Sequence, residues 1–387
     1  MKYRLIDSAL ALWGCVLVTG CASSVDLDVD EGNGPPTDSN TETDDSGEAA
    51  AETGLAEEDT ADTDLPELEP AGDYSQEGPY TAGQDWSTVY GRSGNTLYVS
   101  AWFPSEEEGI ETTWYGWSGW YHRGNSFQSV TPACDEPRNV MVHSHGNQSL
   151  SWEMFQVHEF LATHGWLVVA PDHTGNTMYD YSSSFEQVYL RRPQDIQDVY
   201  SWLVEQSEDP LSPYYGCVDP SAGYVASGYS FGGYTAYANG GARVNNEVGD
   251  PTVDASDPRV TSVVALAPWG GYGLLTTGMT YMEVPVLTLG GERDATVGVD
   301  YKGLHRQIQS TPRLMGSFPN GGHYSFAPLY CFSDGDGCGS DFYPQPDFMN
   351  LMGTTILSWL EYLKGRPGAF EQIPKSSAEL SWELVTP

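Results

Sequence analysis

The chain has 387 residues, with 54 acidic against 16 basic side chains, a formal charge of −38, and 39% apolar residues that include 12 Trp, 24 Tyr and 12 Phe. So negative a surface excludes a nucleic-acid partner, whose phosphates need Lys and Arg to displace counterions, and it disfavours strongly anionic substrates. The apolar content suffices for one large core, with residues left over for a tail.

At the N-terminus, Lys2 and Arg4 precede the apolar run Ala9 to Val18, which is too short to span a bilayer. The segment ends Val18-Thr19-Gly20-Cys21. That ending resembles the lipobox of bacterial lipoproteins, which implies cleavage before Cys21 and lipidation of its thiol. Residues 1–21 then form a signal peptide. An ordinary secretory signal cut near Ala22-Ser23-Ser24 is the alternative. The expectation is an exported chain, held by its lipid anchor in the bacterial cell envelope, or secreted if the lipobox is not used. Two or three acyl chains would hold it stably on a membrane. Ala22 after Cys21 is compatible with outer-membrane sorting.

Residues 22–75 read as a disordered acidic tether. Eighteen acids lie between Asp26 and Asp73, no Lys or Arg occurs between Arg4 and Arg92, and no aromatic follows residue 24 until Tyr74. Such a segment cannot bury enough apolar surface to offset the entropy of ordering it. Asp26, Asp28 and Asp30 lack the glycine and distal glutamate of a calcium loop, so no metal is expected there.

Residues 76–387 form the folded domain. Asn95 to Phe103 alternates like an early antiparallel strand. Val140–His143 and Leu167–Asp172 are short apolar runs, with a helix over Trp152–His164 between them. Gln194–Ser207 reads as a second helix, with Ile196, Val199, Tyr200 and Leu203 on one face. Gly223–Gly228 is a strand followed by a small-residue helix from Gly232. Val260–Ala267, Val284–Leu289 and Arg313–Phe318 are further strands, and Met349–Leu363 is an amphipathic closing helix. Buried strands alternating with helices predict an α/β fold: a mostly parallel central sheet, helices on both faces, and a site beyond the carboxyl ends of the strands. No large cap is legible.

Cys134, Cys217, Cys331 and Cys338 remain after the signal. An even number in an exported chain suggests two disulfides with three possible pairings. Cys134 and Cys217 each lie about six residues before a predicted strand, which favours Cys134–Cys217 and leaves Cys331–Cys338 to close a short loop. The long bridge is worth about 4 kcal/mol in a chain-entropy model. The spacing lacks a CxxC pair, which argues against a metal site.

Gly228-Tyr229-Ser230-Phe231-Gly232 fits G-x-S-x-G, between an apolar strand and a small-residue helix. A serine on so sharp a turn needs small neighbours, and the pattern predicts Ser230 as nucleophile. Only His305 and His323 follow it. His305 sits in a helical pattern and reads as a surface residue, whereas His323 lies in a glycine-rich loop past a strand and is the expected base. Asp294, just past the preceding strand, is the expected acid that orients the imidazole. Glu292 is its local competitor, read instead as an ion-pair partner of Arg293 or another surface group. Two backbone N–H groups should hold an oxyanion: Phe231, after the nucleophile, and Asn147 in the His143–Asn147 loop, with Gly146 in reserve. His143 and His145 read as packing residues rather than metal ligands.

Val142–Gly146, Leu161–His173, Arg192–Ile196 and Gly228–Gly233 together resemble the platelet-activating-factor acetylhydrolase and predicted dienelactone hydrolase-like branch of the α/β-hydrolases. The matching blocks run from about residue 139 to residue 323. The resemblance implies an α/β-hydrolase fold, the triad Ser230, Asp294 and His323, and Asn147 as an oxyanion donor. Ala267-Pro268-Trp269, followed by Val284-Pro285-Val286-Leu287, resembles cutinase-like polyester hydrolases and implies Trp269 as a wall beside the scissile ester. Tyr229 stands where the first family often has His or Trp, and the Cys331–Cys338 loop with Asp334 and Asp336 is an addition to its pattern. The function expected is a serine-dependent carboxylic ester hydrolase on short-acyl, lipid-like or polyester substrates, small or polymeric, with no cofactor and no metal. An amidase or peptidase using the same triad, and a non-enzymatic ligand-binding surface lipoprotein, are the alternatives.

Overall fold

A computed structural model describes residues 68–387, apart from 118–119, 246–251, 271–274, 276, 332–334 and 376–379. The signal peptide, the lipidation site Cys21, most of the acidic tether and Asp334 lie outside the described residues.

The chain opens with a ten-residue antiparallel pair, β1 (Thr81–Tyr90) and β2 (Thr96–Ser105), then a second pair, β3 (Thr112–Trp117) and β4 (Trp120–Phe127). Alternating strands and helices follow: β5 (Asn139–Ser144), α1 (Phe155–Thr163), β6 (Trp166–Asp172), α2 (Phe185–Glu208), β7 (Tyr224–Tyr229), α3 (Phe231–Asn239), β8 (Val260–Leu266) and β9 (Val286–Gly291). The remainder is α4 (Asp300–Gln307), β10 (Arg313–Phe318), α5 (Gln345–Leu363) and β11 (Ser381–Val385). The fold is α/β, with the described strands in one mixed sheet of order β11-β10-β9-β8-β7-β5-β6-β2-β1-β4-β3. The run from β6 to β10 is parallel throughout, and antiparallel pairs flank it at β2 and β11.

The parallel strands are apolar because both faces are covered. Every residue of β6, β7 and β9 is buried. One face packs Leu161, Ile356, Trp359 and Leu360 from α1 and α5, and the other packs Ile196, Val199, Tyr234 and Tyr237 from α2 and α3. Each such aliphatic side chain contributes about 1.5–3 kcal/mol of burial.

Besides the unanticipated strands β1, β3, β4 and β11, three features depart from expectation. Helix α2 begins at Phe185, nine residues ahead of Gln194, and carries Pro193 inside it. Its start is fixed by Gln187, whose side chain accepts the Ser184 N–H at 3.1 Å. Pro193 has no N–H for the carbonyl of Tyr189, and the Tyr234 hydroxyl donates to that carbonyl instead, at 2.9 Å. The packed body also takes in residues that composition assigns to the tether: Tyr74 is buried, its carbonyl accepts from the Thr354 hydroxyl at 2.9 Å, and the Ala71 N–H donates to Pro367 at 2.8 Å. His305 is buried in α4 rather than exposed, its Nδ1 2.9 Å from the Thr288 hydroxyl.

Both disulfides form in the expected pairing, with Cα separations of 4.5 Å for Cys134–Cys217 and 5.3 Å for Cys331–Cys338. The first joins the segments leading into β5 and β7, which are neighbours in the sheet.

Candidate active site

Ser230 occupies the turn between β7 and α3 with φ 55° and ψ −117°, a left-handed conformation that a residue with a side chain adopts only under constraint. The two flanking glycines make the turn possible. A Cβ on Gly228 would lie 2.1 Å from the Gly232 carbonyl oxygen, and one on Gly232 would lie 1.7 Å from that of Ser144. The G-x-S-x-G spacing is therefore a packing requirement of this strand-to-helix corner against β5.

Asp294 and His323 follow β9 and β10, so both reach the carboxyl edge of the sheet where Ser230 sits. The Ser230 Oγ lies 3.0 Å from His323 Nε2, and His323 Nδ1 lies 2.8 Å from Asp294 Oδ2. The other Asp294 oxygen accepts the N–H groups of Thr296 at 3.0 Å and Val297 at 2.8 Å. All three side chains are buried, with Ser230 the most accessible at 8%. The expected base and acid are thus joined to the expected nucleophile, and the competitor Glu292 is instead ion-paired with Lys302. Tyr229 supports the base loop from beneath: its hydroxyl donates to the His323 carbonyl at 3.2 Å.

Phe231 is the first residue of α3, where a helix leaves its amide without an intrahelical acceptor. Asn147 follows β5 at an exposed position, and its side-chain oxygen accepts from Asn176 at 3.0 Å. The N–H of the reserve candidate Gly146 donates to Glu153 Oε1 at 2.8 Å. Trp269 lies against the elbow: its backbone N–H donates to the Ser230 carbonyl at 2.9 Å, and its ring meets Phe231 edge-on at 5.2 Å. Phe185, 39% exposed, completes an aromatic wall, 5.7 Å from Phe231 and 5.9 Å from Trp269.

A buried polar network lies behind this loop. Ser144 Oγ lies 2.9 Å from His173 Nε2, and His173 Nδ1 lies 2.8 Å from Asp195 Oδ2. Arg192 donates to Ser144 Oγ at 3.2 Å, to the His145 carbonyl, and to Asn176 at 2.9 Å, while the His173 N–H donates to His145 Nε2 at 3.0 Å. Burial pushes the His145 and His173 imidazoles well below the usual range and the Asp195 carboxyl up to about 7. Neutral His145 is therefore a packing and hydrogen-bonding residue that shapes the loop carrying Asn147. His143 is buried beside it, with Nδ1 3.2 Å from the Ser227 hydroxyl. Among the described residues, no three His, Cys, Asp or Glu side chains are grouped to hold a metal ion.

No protein-family model matches the chain, and no curated protein matches it. The class that the fold and site define is an α/β protein with a Ser–His–Asp constellation at the carboxyl edge of its sheet.

Proposed function

We propose that the protein is a serine-dependent carboxylic ester hydrolase of the α/β-hydrolase fold, resembling the platelet-activating-factor acetylhydrolase and dienelactone hydrolase-like branch. The observation that carries this reading is the relay from Ser230 Oγ through His323 to Asp294, at 3.0 and 2.8 Å, with the serine held at positive φ.

In this reading His323 Nε2 takes the hydroxyl proton as Ser230 Oγ attacks the ester carbonyl, and Asp294 stabilises the imidazolium that forms. The amides of Phe231 and Asn147 receive the developing oxyanion. The imidazolium then protonates the leaving alcohol, an acyl-enzyme remains on Ser230, and His323 activates water to release the acid. The aromatic wall of Trp269, Phe231 and Phe185 favours apolar acyl or aryl groups, and the net charge of −38 favours uncharged esters. Short-acyl, lipid-like and polyester substrates satisfy both. The lipobox-like segment and two disulfides support an exported protein anchored through Cys21.

The test is hydrolysis of p-nitrophenyl acetate and butyrate by the wild type and by Ser230→Ala. Turnover that vanishes in the variant, with unchanged circular dichroism, supports the reading. Equal turnover in both proteins ends it.

A further inference from the structure

The hairpin turn closed by the Cys331–Cys338 disulfide has no role in the mechanism above, yet one of its side chains touches the loops of both triad partners. Asp336 Oδ1 accepts the backbone N–H of His323 at 2.8 Å. Its Oδ2 accepts the N–H of Ala295 at 3.0 Å and the hydroxyl of Thr296 at 2.7 Å, both in the loop that carries Asp294. The Asp336 carbonyl also accepts the Tyr324 N–H at 2.9 Å. One residue therefore satisfies four donors, two on each side of the His323–Asp294 hydrogen bond.

The turn itself is built for close approach. Gly335 and Cys338 exchange backbone hydrogen bonds of 3.2 and 3.0 Å. Gly337 has φ 96°, and a Cβ there would lie 2.2 Å from the Ser325 nitrogen, inside the base loop. A Cβ on Gly322 would in turn meet the Gly337 nitrogen at 2.2 Å. The Gly337 carbonyl accepts from the Ser325 hydroxyl and from Gln345, each at 3.2 Å. The disulfide ties the far end of this turn, Cys338, to Cys331. At their roots the two loops are also joined through the backbone, the Arg293 N–H donating to the Gly321 carbonyl and the Glu292 N–H to the Phe318 carbonyl, each at 3.0 Å. The Asp336 carboxylate is the tie placed beyond these, on His323 itself and on the two residues after Asp294.

We propose that Asp336 is a positioning residue: its carboxylate clamps the base loop to the acid loop and fixes the His323–Asp294 pair in register with Ser230. The inference rests on the esterase reading for its kinetic consequence, and on geometry alone for the clamp. Asp336→Ala removes the three carboxylate bonds to the tips of both loops while the backbone bonds at their roots remain, and a displacement of about 1 Å in a reacting pair costs up to about 100-fold in rate. Asp336→Asn keeps one acceptor oxygen and loses less. The Cys331→Ser, Cys338→Ser double variant keeps Asp336 and loosens its mount, so its loss is also smaller.

The experiment measures three quantities on the full chain. They are kcat and KM for p-nitrophenyl butyrate, the rate at which a fluorophosphonate labels Ser230, and the downfield proton resonance of the His323–Asp294 hydrogen bond. Asp336→Ala is expected to lower kcat and the labelling rate in parallel by about 10- to 100-fold. KM should stay near wild type, the proton resonance should be lost or shifted, and Asp336→Asn should fall between. A merely structural residue would change the melting temperature and leave kcat of the folded fraction intact. Wild-type kcat, labelling and resonance in Asp336→Ala would overturn the clamp and leave the esterase reading standing. A wild-type protein that neither turns over esters nor accepts the probe would remove the esterase reading, and the proton resonance would then still decide the clamp.

Discussion

Asp294→Asn preserves the volume of the acid and reverses what it offers the base. Asp294 uses its oxygens unequally: Oδ1 is held by the N–H groups of Thr296 and Val297 at 3.0 and 2.8 Å, and Oδ2 faces His323 Nδ1 at 2.8 Å. In the variant, the two amides select the carbonyl oxygen for the first position. An NH2 group there would confront two donors, at a cost of about 1–3 kcal/mol for each group left unpaired. The NH2 must then face His323 Nδ1, which can only accept it. The imidazole proton moves to Nε2, 3.0 Å from Ser230 Oγ, and a ring protonated on that side cannot take the serine proton. A wrong tautomer in such a relay lowers kcat by about 10,000-fold, or about 5 kcal/mol of barrier. Steady-state kinetics on p-nitrophenyl butyrate should show this loss with KM little changed and the melting temperature within a few degrees. A kcat within tenfold of wild type would refute the argument, because it would mean that Asp294 does not set the tautomer.

Two further predictions concern the scaffold. Burial pushes the His305 imidazole down to about 3, so between pH 6.5 and 3 the unfolded chain binds a proton that the folded chain does not. Its stabilising contribution is complete above pH 6.5 and is lost as pH falls, with a slope of about 1.4 kcal/mol per pH unit. His305→Gln should flatten the pH dependence of urea-unfolding free energy between pH 4 and 6 by that amount, and an unaltered slope would count against a neutral buried His305. Glu153 is fully buried, accepts the Gly146 N–H at 2.8 Å and takes the Ser149 hydroxyl. Glu153→Gln keeps an acceptor, whereas Glu153→Ala orphans a buried amide at about 1–3 kcal/mol and loosens the turn before Asn147. Alanine should therefore lower both melting temperature and kcat more than glutamine does, and equal effects would contradict this role.

The parts of the molecule that were legible in the sequence are those fixed by local physics. The strands β5 to β10 are continuous apolar runs because both their faces are covered, and Ser230, Asp294 and His323 each follow one of them within a few residues. The start of α2 was hidden by Pro193, because the hydroxyl that replaces its missing donor comes from Tyr234, 41 positions further on in α3 and invisible to a local window. Strands β1, β3, β4 and β11 carry polar residues, glycine or exposed aromatics, such as Trp86 and Trp114, and owe their extended form to pairing with distant partners. His305 looked like a surface residue because its helix is polar overall, and only the approach of Thr288 from β9 reveals its burial. Asp336 carries no sequence signal beyond its place near two cysteines. Ser144, His173, Arg192 and Asp195 did leave a trace, since each falls within a block that carries the family resemblance.

The chain spells the same three residue types twice. Ser144, His173 and Asp195 reproduce the distances of Ser230, His323 and Asp294 to within about 0.1 Å, at 2.9 and 2.8 Å against 3.0 and 2.8 Å. Ser144 is wholly sealed from solvent, ends a regular strand, and has its oxygen occupied by Arg192. Water and substrate have no road to it, and a guanidinium sits where an electrophile would have to stand. If the esterase reading holds, reactivity in this molecule is a property of address rather than of spelling: one copy of the trio would serve as masonry while the other serves as a tool.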